Sequence, residues 1–189
     1  SSLRVSDRVL ENARYRVTLN DGGDIAGIFD KSLKKQLLTA PARLEFRQEV
    51  PREWPAWNMD WQDRANAPMG YVDGPARIRI VEDGPVRVAL EVQRTARGSD
   101  FVQTIQLAAG GERVEIVNRI AWQTTNASLK AAFPLTVSNS KATYNWGLGK
   151  IQRGNNDPKK YEVPSHQWFD LTDENGKAGV SILSGHKYG

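Results

Sequence analysis

The chain has 189 residues, with 26 basic against 22 acidic side chains for a formal charge of +4, and no cysteine. A length of this order suits a single domain that buries roughly 70% of its unfolded surface, and the missing thiols exclude a disulfide framework, a thiolate metal site and a cysteine nucleophile. Basic and acidic residues are interleaved, as in ARIRIVEDGPVRVALEV and GGERVEIVNRI, rather than gathered on one face, so neither nucleic acid nor a membrane is expected as a partner.

No apolar run reaches the roughly 18 residues of a membrane span, and the opening SSLRVSDRVLENARY lacks the hydrophobic stretch of a signal peptide. The start reads instead as a cut inside a longer chain. In chain order, the first strong turn is NDGGD from Asn20, where glycine supplies the positive φ of a tight hairpin. SLKKQLL, from Ser32, carries a hint of helical spacing but is too short to stand alone. The stretch from Arg52 to Gly70, REWPAWNMDWQDRANAPMG, has three of the six tryptophans, two prolines and no alternation. It is expected to be a long ordered loop packed by its own aromatics, a kind of loop that often carries function.

From Ala76 onward, period-two alternation dominates the chain. Ile78 and Ile80 alternate with Arg77 and Arg79; Val86, Val88, Leu90 and Val92 alternate with Arg87, Ala89 and Glu91, so each segment reads as a strand with one wet face. DGP at Asp73 and again at Asp83 marks the starts of these two successive strands. After the AAGG turn from Ala108, Val114, Ile116, Ile120 and Trp122 share a face that Asn118 interrupts, and Leu129, Ala131, Phe133 and Leu135 share another. The segment YEVPSHQW from Tyr161 is expected to be a strand and its exit, with Glu162 on the strand. Asp170, Asp173 and Glu174 gather around the turn TDENG, where Asp173 favours the bend through its side chain. Many short alternating strands with turns between them predict an all-β chain, a large antiparallel β-sandwich.

The inventory of chemistry is short. A glycosidase needs two carboxylates about 5.5 Å apart for retention, and no such pair can be named from the sequence. His166 and His186 stand twenty residues apart, outside any HxH or HxxxH pair, so no metal ligand is expected here. No GxSxG occurs, and GGDIAG from Gly22 lacks the spacing of a dinucleotide loop. No catalytic residue is assigned. Aromatic rings with polar neighbours are abundant, however: Trp54, Trp57, Trp61, Tyr144, Trp146, Tyr161 and Trp168. Flat rings with polar edges suit the C–H faces of sugars as well as a sandwich core.

Taken together, ENARYRVTLNDGGDIAGIFDKSLKKQLL, WPAWNMDW, FPL, ATYNWGLG and YEVPSHQWFDLTDENGKAGVSIL closing on KYG resemble, in order and over the whole chain, the C-terminal β-domain of glycoside hydrolase family 38 α-mannosidases. The resemblance implies a supersandwich of the galactose-mutarotase kind, with residues 1–189 forming one β-sandwich domain as a truncated C-terminal fragment of a larger enzyme. It also implies that zinc, its ligands, the nucleophile and the general acid belong to an N-terminal catalytic domain of the same chain, so this fragment needs no cofactor of its own. Pro55 stands in WPAWNMDW where many relatives have an acid. The partners implied are that catalytic domain and a mannose-containing carbohydrate. His166, Trp168, Tyr144, Trp54 and Trp57 become candidates for the wall of the substrate pocket. Two alternatives stay open: a free-standing carbohydrate-binding module, and a mutarotase-like epimerase using His166 with Glu162. Residues four apart on a strand lie about 13 Å apart, which weakens the last.

Overall fold

The computed structural model describes residues 3–154 and 157–185; His186 and the closing KYG lie outside the described residues. The chain divides into two compact units, Ser1–Val50 with Ala67–Pro134, and Pro51–Asn66 with Leu135–Gly189. Both are built from antiparallel strands, as the alternation requires.

In the first unit, β1 (Arg4–Ser6), β2 (Val9–Glu11), β3 (Tyr15–Leu19), β4 (Ile25–Asp30) and β5 (Lys35–Gln36) form a five-stranded meander in chain order. The NDGGD turn joins β3 to β4: Asn20 Oδ1 accepts from the Asp24 backbone N–H at 2.9 Å, and Gly23 adopts φ +79°. SLKKQLL forms a turn and β5, not a helix, because a turn held by Asp30 wins over weak helical spacing: its Oδ1 accepts from the N–H groups of Ser32 and Leu33 at 2.9 and 3.0 Å.

Next come β6 (Arg43–Gln48), β7 (Gly70–Tyr71), β8 (Arg77–Asp83), β9 (Arg87–Ala96), β10 (Ser99–Ala108), β11 (Glu115–Ala121) and β12 (Ala127–Ala132). They make a four-stranded sheet, β11-β10-β9-β8, and a three-stranded sheet, β12-β6-β7. β8 and β9 do follow the two DGP triplets. Strand β12 stops at Ala132, before the expected Phe133 and Leu135, since Pro134 has no N–H for a ladder; its carbonyl instead accepts from Thr39 N–H at 2.8 Å.

The alternating faces decide the packing. Val88, Leu90 and Val92 of β9 and Phe101, Ile105 and Leu107 of β10 share one face and are all sealed from solvent. They look toward the meander, whose β1 and β2 lie against β8, β9 and β10, so this unit is a β-sandwich. Phe46 on β6 meets Phe101 edge to face at 6.0 Å and Trp122 at 5.8 Å, in a cluster with Leu44 and Val72. Truncating a ring this deeply buried costs about 3–5 kcal/mol. The face expected to be wet is only partly so: Ala89 and Glu91 are buried, and Arg79 bonds to the Glu91 carboxylate with Nε at 2.8 Å and Nη2 at 2.7 Å.

Candidate functional site

The candidate residues fall in the second unit. Its loop, Pro51–Asn66, holds α1 (Trp61–Ala65), the five-residue helix that the expected irregular stretch conceals. Trp61 packs on Tyr161 at 5.4 Å, and the Tyr161 hydroxyl donates to the Met59 carbonyl at 2.7 Å. Trp54, at φ +54°, accepts through its carbonyl from the N–H groups of Trp57 and Asn58 at 2.8 Å. This tight turn leaves Trp54 69% and Trp57 87% exposed.

Four strands complete the unit: β13 (Ala142–Trp146), β14 (Gly149–Arg153), β15 (Trp168–Thr172) and β16 (Gly179–Leu183), ordered β14-β13-β15-β16. The TDENG turn behaves as expected: Asp173 Oδ1 accepts from Lys177 N–H at 2.8 Å, and Gly176 takes φ +69°. Two expectations fail. Residues Tyr161 to Gln167 are not a strand, and Glu162 sits at φ +53° with its Oε1 3.3 Å from Arg64 Nε; Pro164 and the ion pair hold this segment away from ladder geometry. Asp170 belongs to the middle of β15, not to the turn.

Register assigns the faces. Thr143 faces Asp170, Asp170 faces Ser181, and Trp168 faces Leu183. Tyr144 faces Phe169, so it lies on the opposite side of the sheet from Trp168; its buried ring stacks on Phe169 at 6.1 Å. Arg153 covers that side, its guanidinium 5.7 Å from the Tyr144 ring and 4.6 Å from Trp146, while Nη1 donates to the Pro164 carbonyl at 3.0 Å. His166 packs on Trp146 at 5.6 Å, and its Nδ1 accepts from Gly147 N–H at 3.1 Å. With Nδ1 accepting, Nε2 carries the proton of the neutral ring. Asn145 ties this segment down: its carbonyl accepts from His166 N–H at 3.0 Å and its Oδ1 from Gln167 N–H at 3.1 Å.

The five candidates are thus not gathered on one surface, because Tyr144 and Trp168 occupy opposite faces. Trp168 instead lines a shallow depression of about 500 Å³ with Thr143, Lys150, Asp170, Ser181 and Leu183. The sequence singled out only Trp168 among these as a pocket residue. Its period-two relation to Asp170 was readable; the cross-strand neighbours depend on register, which composition does not reveal. Among the described residues no group of three or more His, Cys, Asp or Glu could hold a metal ion, so this donor set does not fit a zinc centre. Among them too, no helix is long and apolar enough to cross a membrane.

Architecture alone defines the class, an all-β protein of antiparallel sheets with a β-sandwich. The family follows from the chain itself: residues 10–189 match the model for the glycosyl hydrolases family 38 C-terminal domain, and the chain belongs to that family. It is 25% identical over 190 residues to human alpha-mannosidase 2C1, covering 95% of this chain and 18% of that protein. To the alpha-mannosidase of Saccharomyces cerevisiae it is 26% identical over 203 residues, covering 96% and 18%. The chain therefore spans about a fifth of the length of these relatives. Two solved structures from Enterococcus faecalis share the fold. One, of a protein in glycosyl hydrolase family 38, superposes with TM-score 0.77 at 14% identity over 97% of this chain and 25% of its own. The other, an alpha-mannosidase, gives 0.73 at 13% identity over 96% and 24%.

Proposed function

We propose that this chain is the noncatalytic C-terminal β-domain of a zinc-dependent retaining α-mannosidase that removes terminal α-linked mannose from glycans or oligosaccharides. Family membership over residues 10–189 carries this reading, and the names of the curated relatives support it. Residues 1–189 then act as one domain beside an N-terminal catalytic domain that supplies the zinc site, the nucleophile and the general acid. What this chain offers is position: the segment from His166 to Trp168, fixed to β13 by Asn145, is the part proposed to border the substrate pocket.

The test compares the chain alone with the longer chain that includes the upstream domain. The chain alone is expected not to hydrolyse aryl α-mannosides with zinc present, nor to bind zinc in a one-to-one ratio. The longer chain is expected to hydrolyse them, to lose activity to a chelator, and to release product with the α configuration. Turnover by the purified chain alone overturns the noncatalytic role; release of the β-anomer overturns retention.

A further inference from the structure

The Trp168 face of the second unit's sheet gathers an indole, a carboxylate and an ammonium around one depression. Trp168 and Asp170 are two residues apart on β15 and so share one face, about 6.5 Å apart along the strand. Asp170 is flanked by Thr143 of β13 and Ser181 of β16 in the ladder. Its Oδ1 accepts from Thr172 Oγ1 at 2.6 Å and its Oδ2 from Ser181 Oγ at 2.8 Å. An ionised carboxylate has about four acceptor positions, so two remain for a ligand, one on each oxygen. Lys150, on β14, brings three donors to the same depression. Among the described residues neither Asp170 nor Lys150 joins an ion pair, although both line one cavity.

These groups select the chemistry of the occupant. One negative and one positive charge balance, which disfavours a phosphate or a cation and favours a neutral molecule. An acceptor pair fixed by two hydroxyls suits vicinal O–H groups, and an ammonium suits a ring or hydroxyl oxygen. The indole beside them suits a patch of C–H. A pyranose has all three features on one ring. We propose that this face binds a neutral hexopyranose at the end of a glycan, with Trp168 under the sugar ring, Asp170 accepting from two adjacent hydroxyls and Lys150 donating to a third oxygen. This site shares Trp168 with the pocket border proposed above and rests on that reading for the sugar; its test reads binding without turnover, so its failure is distinguishable from failure of the proposed activity.

The test is titration of the 189-residue chain with methyl α-mannopyranoside, followed by the nuclear magnetic resonance signal of the Trp168 indole N–H, which Trp168→Phe identifies by its disappearance. A saturable shift is expected, with Kd on the order of 1 mM. Lys150→Ala should weaken binding at least about fivefold. Lys150 is exposed and lies outside every ion pair among the described residues, so this variant keeps the fold. Asp170→Asn should weaken it further. Inorganic phosphate, titrated as an anionic probe, should leave the signal in place. The proposal is overturned by a signal that does not move with sugar, by a shift that Lys150→Ala leaves unchanged, or by phosphate binding more tightly than the sugar.

Discussion

Arg94 Nη1 lies 2.7 Å from Asp24 Oδ1, and the two side chains are only 1% and 6% exposed. The pair joins β9 to the start of the β4 hairpin across the sandwich. Its surroundings add partners to both ions: the same Nη1 donates to the carbonyls of Val72 and Gly22 at 2.8 and 3.1 Å, Nη2 donates to Gln103, and Arg43 Nε stands 3.0 Å from the second Asp24 oxygen, while Arg94 Nε is buried without a hydrogen bond among the described residues. A buried pair is weak evidence of net stabilisation, but removing one partner strands the other charge in a dry site.

Asp24→Ala is therefore expected to destabilise the chain by about 3–5 kcal/mol, since it leaves Arg94 buried without its carboxylate. For a chain of this length that is a fall of roughly 10 °C in Tm. A change under about 2 °C in calorimetry would show that water or Gln103 replaces the carboxylate.

Gly74 gives a sharper steric test. A Cβ there would stand 2.1 Å from the Thr95 carbonyl oxygen, and this obstacle is backbone on a central strand. Gly74→Ala should cost about 1–3 kcal/mol or more by forcing β9 to move. Gly98→Ala is the control: it meets nothing within 4 Å and carries only a φ of +77°, a penalty of roughly 1–2 kcal/mol. Urea midpoints should rank the two variants in that order.

Acid stability should depend on Glu91. The hydrogen bond from Arg79, with help from Gln93, holds its carboxyl below the ordinary value of 4.5, against the opposing effect of burial. A folded-state pKa below the unfolded one means that folding favours the ionised form. That contribution is complete above the unfolded pKa and is lost as pH falls through the folded one. Tm should thus be level near neutrality and decline below about pH 4.5, and Glu91→Gln should make the decline shallower. The decline will not vanish, because Glu115, bonded by Arg113, and Glu11, bonded by Lys31, are also held low. Parallel profiles for the two proteins would remove Glu91 as a contributor.

Alternation made the strand through Val88, Leu90 and Val92 legible, since these three enter one dry layer. Turns were legible where glycine and an Asx side chain coincide, at Asn20 and at Asp173. The hairpin between β9 and β10 was not: Arg97 and Gly98 both take positive φ, at 50° and 77°, and arginine gives no sign of it. The buried Asp24–Arg94 pair was equally silent, because residues 70 apart meet only after two sheets pack. On the candidate site, the chain offered the aromatics as pocket-wall candidates, and only the register of β13 against β15 separates Tyr144 from Trp168.

His166 allows the pocket-border reading to be tested in the longer chain with the catalytic domain. The His166 side chain accepts from Gly147 N–H, and its backbone bond to Asn145 survives substitution. His166→Ala should therefore lower Tm by no more than about 4 °C, as expected for losing a partly exposed bond of about 1 kcal/mol. If the ring borders substrate, kcat/KM should fall at least tenfold, or about 1.4 kcal/mol of transition-state stabilisation. His166→Gln separates contact from scaffolding, because its amide oxygen can still accept from Gly147. If His166 only shapes the β13–β14 turn, Gln restores kcat/KM and the pH profile keeps its wild-type form. If the imidazole itself meets substrate, kcat/KM stays impaired in the Gln variant. Unchanged rate and unchanged profile in both variants would take His166 out of the pocket wall.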